Sequence, residues 1–153
     1  TDRLGNNKIK MVGFSVSSKN EISLDTVVSG QNICLVIDYI SEEKDIKDIV
    51  CIIIIKTLMG QPLFSCSTRV ENDYLPPLKK EGKIICDIEN FPLNEGSYYI
   101  DIMIKKGQDS KMILDSLEQV DLLNVTGGDF FGVGKTLNKE SSPMLVRHKW
   151  RVI

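Results

Sequence analysis

At 153 residues, 42% hydrophobic and 26% charged, the chain has the length and composition of one globular domain with a sizeable core. A net charge of -2 gives no general pull toward nucleic acid or an anionic membrane. The longest apolar run, Ile49 to Ile55, is strand-sized and far too short to cross a bilayer. The chain starts at Thr1-Asp2 with no signal-peptide pattern and no methionine, which suggests a piece of something longer.

Strand-like segments alternate with turn signals along the chain, the pattern of an all-β, antiparallel sandwich. They are expected near 9–17, 22–28, 32–40, 48–58, 62–68, 83–88, 97–105, 117–125 and 144–152. Ser29-Gly30, Met59-Gly60, Pro76-Pro77, Glu81-Gly82, Glu95-Gly96 and Lys106-Gly107 mark turns between them. Ser41 to Asp48 is charged and reads as a loop or one helical turn. The run Ile49-Val50-Cys51-Ile52-Ile53-Ile54-Ile55 is apolar on both faces, so its outer face needs a cover: a subunit contact or an intrachain loop.

The most informative stretch is Phe91-Pro92-Leu93-Asn94-Glu95-Gly96-Ser97-Tyr98. A turn glycine stands two places before a tyrosine that opens a strand, with Tyr98, Ile100, Ile102 and Ile104 on one face. This is the pattern of the tyrosine corner of immunoglobulin-like sandwiches, in which the phenol bonds back to nearby backbone. In the last segment Val146, His148, Trp150 and Val152 alternate with Arg147, Lys149 and Arg151. Trp150 is expected to plug the core and His148 to be partly buried and hydrogen-bonded.

The chemistry-bearing patterns are weak. Cys34, Cys51, Cys66 and Cys86 are widely spaced, and His148 is the single histidine, so neither a metal site nor a nucleophilic triad is indicated. Cys34, Cys51 and Cys86 lie in apolar runs and read as reduced core thiols. Gly128-Asp129-Phe130-Phe131-Gly132-Val133-Gly134-Lys135-Thr136 approaches a phosphate-binding loop, but Asp129 stands where the first glycine is required. The following Asn138–Pro143 stretch leads to no helix, so no helix N-terminus would face a phosphate. No enzyme, metal or cofactor is expected.

Several pieces in order point to a family. Arg3-Leu4-Gly5-Asn6-Asn7-Lys8-Ile9 leads into a strand, and Ser29-Gly30-Gln31-Asn32-Ile33 into another. Ile53–Ile55 continues through Met59-Gly60-Gln61-Pro62-Leu63-Phe64 to Ser67-Thr68. The corner at Pro92-Leu93 and Gly96-Ser97-Tyr98, then Leu114-Asp115, Leu123-Asn124-Val125, a glycine-bearing loop and Trp150, complete the set. Together they resemble the C-terminal domain of the Wzt-type ATP-binding subunit of polysaccharide ABC transporters. Gln31, where an acidic residue is usual, and Asn6, in place of a small residue, depart from that pattern.

The resemblance implies a carbohydrate-binding module over residues 1–153, detached from an ATPase domain that would precede it. It implies noncatalytic recognition of an exported O-antigen polysaccharide at the cytoplasmic face of the bacterial inner membrane. It further implies a homodimer, with a terminal strand exchanged between subunits, associated with the ATPase domain and the transporter's membrane subunit. For the glycan site, the residue types favour Tyr99 as a stacking ring and Asp101 as an acceptor of hydroxyl hydrogen bonds. Lys56, Arg69 and Asn124 lie where strands would bring them to the same surface. The alternatives are an ordinary solvated face there, or a sandwich that binds another protein or only dimerises.

Overall fold

The computed structural model describes residues 3–68, 75–107, 112–140 and 142–152, and among these there is no helix. Two sheets form. The larger is ordered β1 (Arg3–Leu4), β9 (Ile113–Thr126), β8 (Gly96–Lys106), β5 (Ile49–Lys56) and β6 (Pro62–Ser67). A short β3 (Val27–Val28) pairs with β9 in parallel, whereas every other pairing is antiparallel. The smaller sheet is β2 (Ile9–Ser18), β4 (Ile33–Ser41) and β7 (Glu81–Ile88).

β-branched residues favour the pleated conformation and put one row of each strand into a shared interior. Ile53, Ile55, Ile100, Ile102 and Ile104 meet Ile33, Leu35 and Ile37 there, each at most 2% exposed. Burial of such a side chain stabilises by about 1.5–3 kcal/mol. The layers close into an all-β sandwich, as the strand pattern implies.

The tyrosine corner forms. Tyr98 donates its phenolic hydrogen to the carbonyl of Asn94 at 2.7 Å. A Cβ on Gly96 would stand 3.1 Å from that phenol oxygen, so the ring needs glycine beneath it. Burial pushes the Tyr98 phenol above its usual range.

One edge of the sandwich is tied by charge. Asp115, fully buried, accepts a hydrogen bond from the backbone N–H of Met11 at 2.7 Å. Arg3 reaches the other carboxylate oxygen at 3.1 Å, an ion pair that misses hydrogen-bond alignment, and donates to the Met11 carbonyl at 2.6 Å. Residues 3 and 115 of the large sheet thus hold β2 of the small one.

Three expectations are corrected. The segment expected over 22–28 enters the large sheet only at Val27–Val28, with a single bridge from Ser23 to Ser17. The segment expected over 144–152 forms no strand: Met144 makes a single bridge to Leu93, and Leu145 donates to the Pro92 carbonyl. Beyond Leu145 the chain joins no strand, although Arg147 still donates to the Asn90 side chain at 3.1 Å and lies over the Phe130 ring, and Trp150 is 90% exposed rather than a core plug. Its ring meets that of His148, which is exposed rather than partly buried and in turn meets Phe131. The alternation of that segment proposes two rows, but among the described residues no sheet receives either of them. The third correction is Cys34, which faces outward from β4 and donates its thiol hydrogen to Asp87 at 3.0 Å.

Candidate functional site

The outer face of the large sheet gathers the residues singled out for glycan binding. In register, Lys56 on β5 lies opposite Tyr99 on β8, and Leu122 on β9 lies on the other side of Tyr99. One row away, Ser97 faces Asn124, and the serine hydroxyl donates to the Asn124 side-chain oxygen at 2.8 Å. Asn124 is exposed and Tyr99 half-buried, so an aromatic and an amide residue occupy adjacent rows of one surface. Lys56, Tyr99, Asp101 and Asn124 are therefore brought together. Arg69 lies outside the described residues.

Asp101 occupies the same face in a different state from an open acceptor. It is 8% exposed. One carboxylate oxygen accepts the backbone N–H of Gln119 at 2.9 Å, and the other pairs with the Lys56 ammonium. The bulge that β9 makes between its pairings to Ile100 and Ile102 brings Gln119, at φ 51°, over this carboxylate. Asp101 thus locks a bulge and a lysine, and Tyr99 and Asn124 are left as the accessible groups.

The doubly apolar β5 presents Val50, Ile52 and Ile54 on this outer face. Val50 is buried, and Ile52 and Ile54 are half-buried beside Met103, Ser65 and Ser67. The apolar half of the face therefore adjoins the Tyr99–Asn124 polar half.

A second concavity, which the sequence reading does not anticipate, lies on the outer face of the small sheet. It encloses about 460 Å³ and is lined by Ser15, Ser17, Lys19, Glu21, Val36 and Lys83 among others. Its wall is the tight turn after β2, where Glu21 sits at φ 65° and donates its N–H to the Ser18 carbonyl. The cross-strand pair Asp38–Lys83, 2.5 Å apart, and the Cys34–Asp87 bond lie along its floor strands. The Cys34 thiol is held above its usual pKa, chiefly because it donates a hydrogen bond to Asp87 and secondly by burial. No aromatic side chain lines this groove. The available signal was the alternation Cys34, Val36, Asp38, Ile40 opposite Asp87, Ile85, Lys83, Glu81, which only strand pairing makes visible.

The glycine-bearing loop after β9 is self-contained. Asp129 accepts the backbone N–H groups of Val133 and Gly134 at 2.9 and 2.7 Å, closing the loop on a carboxylate. A carboxylate already occupies the donors that a phosphate would use, in keeping with the departure at Asp129. Gly128 is pressed against Ser29, whose carbonyl would lie 2.7 Å from a Cβ, so the connection runs tight across the end of the sandwich. Among the described residues no group of histidine, cysteine or carboxylate side chains is placed to hold a metal ion.

The family described as the Wzt C-terminal domain matches residues 1–135. Among solved structures, the crystal structure of the C-terminal domain of Wzt superposes with a TM-score of 0.77 at 15% identity, covering 99% of this chain and 88% of that one. The CARDB domain of a Pyrococcus furiosus protein, with di-metal ions, aligns at a TM-score of 0.37 and 10% identity over 77% of this chain and 96% of its own. No curated protein matches the chain.

Proposed function

The chain belongs to the Wzt C-terminal domain family, and from that premise we propose that it recognises an O-antigen polysaccharide, without catalysis, for export by an ABC transporter. The observation that carries this reading is the Tyr99–Asn124 surface. A half-buried tyrosine stands in register between Lys56 and Leu122, with a hydrogen-bonded hydroxyl–amide pair one row away. A sugar ring needs that combination: an apolar face to rest on and polar atoms at hydroxyl spacing. Tyr99 and Asn124 would make the direct contacts, Lys56 would border the sugar, and Asp101 would hold Lys56 in place.

The domain would act as a peripheral part of the transporter at the cytoplasmic face of the inner membrane, following an ATPase domain and near a membrane subunit. No helix among the described residues is long and apolar enough to cross a membrane. It would also be a homodimer. The segment after Leu145 leaves Val146, Trp150 and Val152 at 65%, 90% and 99% exposure, an apolar row that exchange into a second copy would bury. Truncation after Leu145 is then expected to turn a sedimenting dimer into a monomer, and an unchanged dimer would remove strand exchange from the reading.

The deciding experiment is a calorimetric titration of the chain with O polysaccharide from its own source strain, against one of unrelated repeat structure. Saturable binding to the first alone, weakened by Tyr99→Ala and by Asn124→Ala, is the expected result. If the folded protein binds neither polysaccharide, the domain is a protein-interaction or dimerisation module.

A further inference from the structure

The edge of the sandwich between β6 and β7 is built differently from the edge that Arg3 and Asp115 close. Cys66 pairs in register with Ile53, and Cys86 with Leu35, and both of those partners are core residues. The two cysteines therefore point inward from facing sheets, each on the outermost strand of its layer. They line one solvent-connected cavity of about 240 Å³ with Leu75, Thr68 and Ile84, and their thiols are in hydrogen-bonding contact. Both are half-buried, so small reagents reach them.

We propose that Cys66 and Cys86 form a reversible dithiol–disulfide site that staples the two sheets when a low-molecular-weight disulfide is the oxidant. Cys66 is the attacking sulfur. Its thiolate displaces one thiolate from the small disulfide and forms a mixed disulfide on β6. Cys86 then gives up its proton and attacks the Cys66 sulfur, expelling the second small thiolate. Two protein thiols lose two electrons and two protons, and one small disulfide becomes two thiols.

The order of the steps follows from the contact. The Cys86 thiol is pushed up, first by its hydrogen bond with Cys66 and then by burial, so Cys86 is the poorer first nucleophile of the two. Once Cys66 is capped, its hydrogen bond with the Cys86 thiol is lost and Cys86 ionises more readily. Cys51, in the same cavity, is only 4% exposed, and burial pushes its thiol up to about 12, which keeps it out of the exchange. Cys34 lies on the opposite face of the small sheet, beside Asp87.

The test exposes the folded chain to oxidised glutathione, then blocks remaining thiols and maps crosslinked peptides without reduction. A Cys66–Cys86 peptide is expected, together with a thermal midpoint higher by roughly 5–10 °C that dithiothreitol reverses. Cys66→Ser and Cys86→Ser should each abolish both changes while Cys34→Ser keeps them, and either of the first two suffices if the other fails to fold. The proposal is overturned if all four cysteines remain alkylatable, if the crosslink joins other cysteines or two chains, or if the midpoint still rises in Cys66→Ser.

Discussion

The two outer faces of the sandwich each carry one lysine–aspartate pair between neighbouring strands, and the pairs are of opposite kinds. On the large sheet, Lys56 and Asp101 keep only 22% and 11% of their side chains exposed, and the aspartate also holds the Gln119 backbone. On the small sheet, Lys83 and Asp38 retain 60% and 37%. The first pair sits in a half-dry surface of isoleucine, methionine and tyrosine, where each charge depends on the other. The second sits beside a wet groove, where water replaces either partner. A charge seen on a strand face is thus a structural fastening in one case and a solvated side chain in the other, and only burial separates them.

The largest expected effect follows from breaking the buried pair. Asp101→Ala leaves the Lys56 ammonium and the Gln119 N–H unpaired and should destabilise the fold by about 3 kcal/mol, read from urea unfolding. Lys56→Met combined with Asp101→Leu should recover most of that loss, since apolar groups suit the neighbouring isoleucines. If Asp101→Ala is as stable as the parent, the pair is no fastening and the contrast between the faces disappears. The same result bears on function, because loss of glycan binding in Asp101→Ala would report misfolding as readily as a lost contact.

Tyr99→Ala is the cleaner probe of the binding face. Removal of one stacking ring should weaken glycan affinity roughly tenfold. Binding that survives Tyr99→Ala and Asn124→Ala but fails in Lys83→Ala would move the site to the groove of the small sheet. For stability, Lys83→Ala should cost less than about 1 kcal/mol, because the pair it breaks is exposed; a larger cost would erase the distinction between the two faces.

The smallest effect concerns Cys34. Its raised pKa means that at neutral pH it stays protonated more fully than a free thiol and alkylates slowly. Asp87→Ala removes the acceptor that is the first cause of the shift, so the pH midpoint of Cys34 alkylation should move down toward the ordinary thiol value. An unmoved midpoint would leave burial as the cause and make the small-sheet face drier than its lysine and aspartate exposures imply.

What was legible in the sequence was local. The corner at Tyr98 could be read because donor and acceptor are four residues apart and the glycine between them is fixed by contact with the ring. The shared face of Tyr99 and Asp101 followed from the two-residue period of a strand. Which face is wet did not follow, because that depends on what packs opposite. Cys34 and Cys86 sit in similar apolar runs, yet one points to solvent and the other into the sandwich.

Alternation over residues 144–152 likewise specifies two rows but not a sheet to receive them, and Trp150 does not enter the core that its row implies. The Lys56–Asp101 pair required the β5–β8 register, and the hold on Gln119 required a bulge more than fifteen residues away along the chain. By itself the sequence determined the strand rows, the turns and the corner, since these rest on backbone sterics and side-chain period within a few residues. Strand order, the buried ion pairs, the outer groove and the meeting of Cys66 with Cys86 belong to the tertiary structure alone. Each depends on contacts between segments far apart in the chain, and no local pattern carries their register.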